Sequence, residues 1–342
     1  MKIGIHHRKN SFSDRWVKYC EKNKINYKIV DCYDNDIINQ LGDCNGFMWH
    51  MHHADTKSVL FGKQLIYSIE KKAIKVFPDF NTVWHFDDKL GQKYLLESVN
   101  SPLVKSYAFY DLYEAINWAE NTIFPKVFKL RGGAGSRNVK LIKDLNSAKK
   151  IIRKCFSGGH LLDSKYLELE ERYLNFISVS NINNFIRLIK GLGRIFFPTP
   201  FQRLKLKEKG YCYFQDFIPD NSFDIRIVII GERAIALKRL VRFGDFRASG
   251  SGKIIYVGDE IDHNILAIAF KTSESIKSQC MAYDFVINDK NEPLIVEISF
   301  AFSMLAYDKC PGFWDRELKW HQSEVDTAEF IIEDFIKLLS EN

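Results

Sequence analysis

Three groups of residues in this sequence have the types and spacing that chemistry requires. The first is Lys129, near the end of the apolar run FPKVFKL (124–130), followed by RGGAGSRNV (131–139) with Gly132, Gly133 and Gly135. A glycine-rich hairpin behind a strand lysine can fold backbone N–H groups over phosphates while the ammonium neutralises their charge. Glycine is also the ordinary turn residue, so a plain tight hairpin accounts for the same letters. The pattern is not a P-loop: no GKS or GKT follows, the glycines lead into a second strand, and no Rossmann GxGxxG occurs.

The second group is acidic. Asp284 and Glu297 stand on the two arms of one predicted hairpin, AYDFVINDKNEPLIVEISF, and Ser299 lies two residues beyond Glu297, on the same strand face. Hard cations such as Mg²⁺ take carboxylate oxygens, usually one or two from the protein and the rest from phosphate and water. Ile295, Val296 and Ile298 surround Glu297, and a carboxylate in such company is costly unless it meets a cation or a basic partner. A structural ion pair satisfies that demand as well as a metal does.

The third group is basic: Arg226 in FDIRIV, Lys238 and Arg239 in ALKRL, then Arg242 and Arg247 in VRFGDFRASGSGK. Arginine offers a planar fork of donors suited to phosphate, acyl-phosphate or carboxylate. Each alone reads as a surface charge; their grouping just before the acidic hairpin points to anion binding.

The elements that must position these groups follow from periodicity. Short apolar runs at 2–5, 27–31, 46–49 and 74–77 alternate with helical spacing at 13–22 and 57–72, which predicts a small parallel α/β domain over residues 1–85 with strands buried on both faces. A helix is expected over 87–98, closed by Pro102, then strands at 124–130 and 139–142 and a helix over 145–156. Residues 158–210 read as a partly helical insertion, so 86–210 form one lobe. The last lobe, 211–342, holds strands around IIGER, a helix over 262–281, the acidic hairpin turning at Asp289 to Asn291, and a C-terminal helix over 325–339.

The 342 residues, 46% hydrophobic and 27% charged with net charge +6, describe an ordinary globular chain of two or three domains rather than a disordered one. Basic residues are spread out, so no nucleic-acid partner is expected. The seven cysteines show no CxxC pair, which argues against a disulfide framework or a zinc site. The N-terminus lacks the apolar core of a signal peptide and no stretch approaches the roughly 20 apolar residues that span a bilayer, so the expectation is a cytoplasmic chain with no membrane partner. His6, His7, His50, His52 and His53 are explained by strand ends, and PGFWDRELKWHQ (311–322) is expected to pack on the body or line a pocket.

Taken in order, NTVWHFDDK, FPKVFKLRGGAGSRNV, YFQDFI, DIRIVIIGERAIALKR, FRASGSG and DFVINDKNEPLIVEIS resemble the ATP-grasp superfamily, especially the carboxylate–amine ligases similar to the ribosomal protein S6 glutamate ligase. The resemblance runs from about Asn81 to Ser303. It implies an α/β (α+β grasp) fold with a two-lobed ATP site behind the small first domain, and ATP and Mg²⁺ as cofactors. By position, Lys89 and Lys129 resemble the lysines on the ATP phosphates, and Gly132 to Ser136 the mobile flap over them. Gln215, Asp216, Phe217 and Ile218 match the adenine-binding segment, and Asp284 and Glu297 the magnesium ligands. Ser299 stands where the family usually has Asn, a poorer ligand. Arg226 fits the DxR pattern near an acyl-phosphate, with Arg239 and Arg247 on substrate or phosphate.

The activity implied is ADP-forming amide synthesis from a small-molecule carboxylate and an amine. FRASGSG and the PGFWD tail resemble ATP-grasp proteins of surface-polysaccharide synthesis, which would make the carboxylate a sugar acid. A kinase on the same scaffold or a non-catalytic nucleotide-binding module fits the same letters.

Overall fold

The computed structural model describes residues 1–341 except 54, 134–137, 162–168, 170, 171, 174, 175, 178–181, 198–206, 243 and 251. Its first unit is a four-stranded parallel sheet in the order β2-β1-β3-β4, built from β1 (Ile3–His6), β2 (Tyr27–Val30), β3 (Gly46–Trp49) and β4 (Lys75–Phe77). Helices α1 (Phe12–Lys22), α2 (Ile37–Gln40) and α3 (Thr56–Glu70) connect the strands. The central strands β1 and β3 are buried at every residue, as continuous apolar runs require, whereas β2 lies at the edge and is only partly covered. His6 ends β1 and His50 follows β3, where its Nδ1 accepts the Phe12 N–H at 3.2 Å and its ring stacks on Phe12. Among the described residues no group of three or more His, Cys, Asp and Glu is arranged to hold a metal, and all seven cysteines are free and buried.

After α4 (Phe80–Val83) and α5 (Lys89–Ser98), a second sheet of four antiparallel strands runs β5-β10-β6-β7: β5 (Ser106–Phe109), β10 (Cys212–Asp216), β6 (Lys126–Lys129) and β7 (Val139–Ile142). One face packs Phe128, Cys212 and Phe214 on α6 (Leu112–Asn121) and α7 (Leu145–Phe156). Strand alternation therefore turns Val127, Lys129, Tyr213 and Gln215 to the other face. Strand β10 lies beyond residue 210, yet it sits between β5 and β6. Of the 158–210 insertion, the described parts include the paired strands β8 (His160–Leu161) and β9 (Lys207–Glu208) and the helix α8 (Ile182–Phe196).

The third sheet is antiparallel, in the order β15-β14-β11-β12-β16-β17 with β13 beside β12. Its strands are β11 (Phe223–Ile230), β12 (Arg233–Leu240), β13 (Ile254–Tyr256), β14 (Cys280–Ile287), β15 (Pro293–Ser299), β16 (Gly312–Trp314) and β17 (Trp320–Gln322), with helices α9 (His263–Ile276) and α10 (Thr327–Ser340). The helix expected over 262–281 stops at Ile276, where Lys277 takes a left-handed conformation (φ 54°) and its N–H caps the preceding turn. The apolar residues that follow it enter β14 instead, because pairing with β11 and β15 buries them on both sides. The 311–322 tail packs on the body as the β16–β17 hairpin, with Trp314 buried against Trp320.

Register sorts the third sheet into two faces. Ile225, Ile227, Ile229, Ala234, Ala236, Met281 and Tyr283 join one core. Val228, Ile230, Ile235, Leu237, Cys280 and Ala282 join another with Ile3, Ile5, Phe12 and Trp16 of the first unit and Ile331, Ile332 and Phe335 of α10. The strands of this second face carry Asp224, Arg226, Arg239, Asp284, Glu297 and Ser299 toward one end. Among the described residues no helix is long and apolar enough to cross a membrane.

Candidate active site

The charged end of that sheet is an ordered network. Arg226 lies opposite Asp284 and closes on both carboxylate oxygens, Nε to Oδ1 at 2.5 Å and an Nη to Oδ2 at 2.8 Å. Arg239 faces Asp224 and grips it with Nε at 2.8 Å and Nη at 2.5 Å, and the same Nη stands 2.8 Å from Asp284 Oδ2. Burial alone would push the Asp284 carboxyl up, but the two guanidinium groups outweigh it and hold Asp284 well below the usual carboxylate range. Glu297 pairs with Asp284 across β14 and β15, and Ser299 pairs with Ala282, so the acids and the serine share one face.

Two lysines approach from the second sheet and the start of α5. Lys89 is the first residue of α5, whose cap Asp88 accepts the Gly91 N–H at 2.9 Å. Its buried ammonium donates to the Gly133 carbonyl at 2.7 Å and lies 3.3 Å from Glu297 Oε1. Gly133 has φ 105°, a conformation that favours glycine, and its N–H donates to Asp87 Oδ1 at 2.8 Å. Lys129 is buried on β6 and donates to Gln215 Oε1 at 2.6 Å; burial lowers its pKa to about 8, partly opposed by the charge of Glu297. A desolvated ammonium of this kind gains most when an anion arrives beside it.

Between the second and third sheets lies a cavity of about 310 Å³, lined by Lys129, Gln215, Asp216, Phe217, Ile218, Arg247, Asp284 and Glu297 of the expected residues. Lys89, Gly132, Gly133, Arg226, Arg239 and Ser299 stand outside its lining, Lys89 reaching it through Glu297. Gly135 and Ser136 lie outside the described residues. Arg247 is held by Asp245, Nε to Oδ2 at 2.8 Å.

Several lining or supporting residues carry no signal in the sequence. Ser106 accepts from Gln215 Nε2 at 3.1 Å and so fixes which end of the amide meets Lys129. Val104, Val127, Val139, Val286 and Val296 form apolar walls. Phe246 meets Phe217 edge to face at 5.8 Å. Asp245 lies within the singled-out basic segment, and a carboxylate two residues from Arg247 is the one clue that could have found it.

A family described as a RimK-like ATP-grasp domain matches residues 205–310, which include β10 to β15. No curated protein matches the sequence. Among solved structures, a RimK domain ATP-grasp protein from Sphaerobacter thermophilus is 13% identical and superposes with a TM-score of 0.57 over 97% of this chain and 98% of that one. This chain has an ATP-grasp fold. The D-cycloserine synthetase DcsG, 11% identical, superposes with a TM-score of 0.61 over 99% of this chain and 100% of that one. D-alanine–D-alanine ligase from Bacillus anthracis, in complex with ATP, is 12% identical with a TM-score of 0.57 over 100% and 98%. At these identities the likeness speaks for the fold.

The donor set of this ATP-grasp site fits a hard cation. Glu297 is partly exposed and lines the cavity, and its fellow carboxylate Asp284 has about four acceptor positions, three of them taken by the arginines. One or two carboxylate oxygens are what Mg²⁺ requires when phosphates complete its shell.

Proposed function

We propose that the chain is an ATP- and Mg²⁺-dependent carboxylate–amine ligase that forms an amide through an acyl-phosphate. The observation that carries this reading is the arrangement around the cavity: a desolvated Lys129 on one sheet faces the Asp284 and Glu297 carboxylates on the other. Lys89 and Lys129 would neutralise phosphate charge, with Gly132, Gly133, Gly135 and Ser136 as the flap. Gln215, Asp216, Phe217 and Ile218 with the valine walls would receive the adenine. Glu297, Asp284 and Ser299 would hold Mg²⁺, which would supply positive charge to offset that of the phosphates.

The remaining chemistry is positioning. Arg247 lines the cavity and would bind a substrate carboxylate or phosphate, its fork aimed by Asp245. Arg226 and Arg239 would keep Asp284 ionised and oriented and present positive charge beside the acyl-phosphate. The units we assign are 1–85 and two ATP-grasp lobes, 86–210 and 211–342, with β10 lent by the third to the second. The comparisons lend no support to a surface-polysaccharide branch, so the carboxylate is not narrowed to a sugar acid. Ser299 and the occupied Asp284 favour the non-catalytic nucleotide-binding module as the second reading.

The test is incubation with Mg-ATP and pools of carboxylates and amines, following ADP, phosphate and product mass. ADP and phosphate release that needs both substrates, with an amide mass, is the expected result. ADP with a phosphorylated product and no free phosphate means a kinase, and ATP binding without turnover means the binding module.

A further inference from the structure

Helix α8 (Ile182–Phe196) is amphipathic. Its apolar residues Ile182, Phe185, Ile186, Ile189, Leu192 and Phe196 recur at helical spacing on one stripe, yet they are 70%, 44%, 42%, 52%, 49% and 78% exposed. The helix meets a neighbouring part of the insertion by another side, although Phe185 of the stripe also meets the Phe176 ring at 5.8 Å. Gly191 is buried so closely against Arg172 that an added Cβ would stand 2.6 Å from its Cδ, and an Arg172 Nη donates to the Arg187 carbonyl at 2.6 Å. Among the described residues the stripe is therefore largely uncovered. Phe197 beyond its end is 80% exposed as well.

Charge says what covers it. Residues 182–209 hold seven of the 49 lysines and arginines and only one of the 43 acidic residues, so the rest of the chain is balanced at 42 to 42 and this segment accounts for the whole net charge of +6. Arg187 and Lys190 are exposed on α8 itself. A second copy of the same helix would bring like charges together, and a nucleic acid would leave six large apolar side chains in water. An anionic lipid surface satisfies both the stripe and the charge.

We propose that α8 is an interfacial anchor that lies on an anionic bilayer, with the Ile182–Phe196 stripe among the acyl chains and Arg187 and Lys190 among the headgroups. The sequence expectation of no membrane partner rested on the lack of a spanning segment, which a helix lying in the interface does not need. The anchor is independent of the chemistry assigned to the cavity.

The full chain is sedimented with phosphatidylcholine vesicles and with vesicles about one-third phosphatidylglycerol, at about 0.1 M and about 0.5 M salt. Binding to the anionic vesicles only, weakened severalfold by salt, is expected. Ile189→Asp is expected to reduce it at least tenfold, and Arg187→Gln with Lys190→Gln to weaken it and flatten its salt dependence. All three side chains are exposed, and unchanged thermal melting serves as the check on folding. The proposal is overturned if the native chain ignores anionic vesicles, if Ile189→Asp binds as well as the native chain, or if the stripe instead drives a dimer that the aspartate dissolves.

Discussion

Arg226 and Asp284 face each other across β11 and β14, and the guanidinium occupies both carboxylate oxygens at 2.5 and 2.8 Å. A bidentate pair in a buried site is stronger and more directional than a single contact. Here it fixes the acid that heads the proposed cation site. Arg239 extends the pair to Asp224, so four charged residues on three strands act as one unit.

That unit predicts a stability effect. Arg239→Met leaves the largely buried Asp224 without its bidentate partner and is expected to cost about 3–5 kcal/mol in urea unfolding, while Asp224→Leu combined with Arg239→Leu restores much of the loss. Equal losses in the single and double variants would show that the pair contributes nothing beyond packing.

Lys129 predicts a pH dependence. Burial lowers its pKa to about 8, so in the free protein it is protonated below that value and neutral above it. ATP affinity is expected to weaken as pH rises through about 8, and Lys129→Met is expected to bind weakly with a flat profile. For stability the sign is reversed: the folded chain disfavours the charged lysine, a penalty present below about pH 8 and relieved as pH rises toward the ordinary lysine value of 10.5. Calorimetric titration and thermal melts across that range measure the two effects separately.

Glu297 is partly exposed at the cavity, so Glu297→Gln should preserve the fold. It is expected to lower Mg-ATP turnover by about a hundredfold or more, in line with loss of a principal charge-stabilising group. Full activity in that variant, with an unchanged melting temperature, would remove Glu297 from the metal site.

Ser299 stands on the same face as Glu297, and Ser299→Asn would add a carbonyl oxygen there. The magnesium concentration for half-maximal turnover is expected to fall severalfold. An unchanged requirement would mean that Ser299 lies outside the metal shell.

Much of this molecule was legible residue by residue. The α7 boundaries, the acidic hairpin and the parallel strands of the first unit follow local patterns of apolar residues, turn residues and caps, which act over a few positions. Glu297 stood out because a carboxylate within an apolar strand needs a partner, Lys129 because a glycine-rich turn follows it, and Gln215 only through the family resemblance. The α9 end was placed too late because Cys280 and Met281 suit the continuation of a buried helix and the start of a central strand equally, and pairing with β11 decided between them.

The sequence by itself determined which residues seek partners, because alternation along each strand sets the side chains that share a face. Tertiary structure alone decided which partners they found. Strand pairing between distant segments put β10 between β5 and β6, and with it Gln215 beside Lys129 and Ser106. It likewise gave Asp284 two arginines from two strands and left the α8 stripe in solvent, because register and packing depend on contacts between residues far apart in the chain.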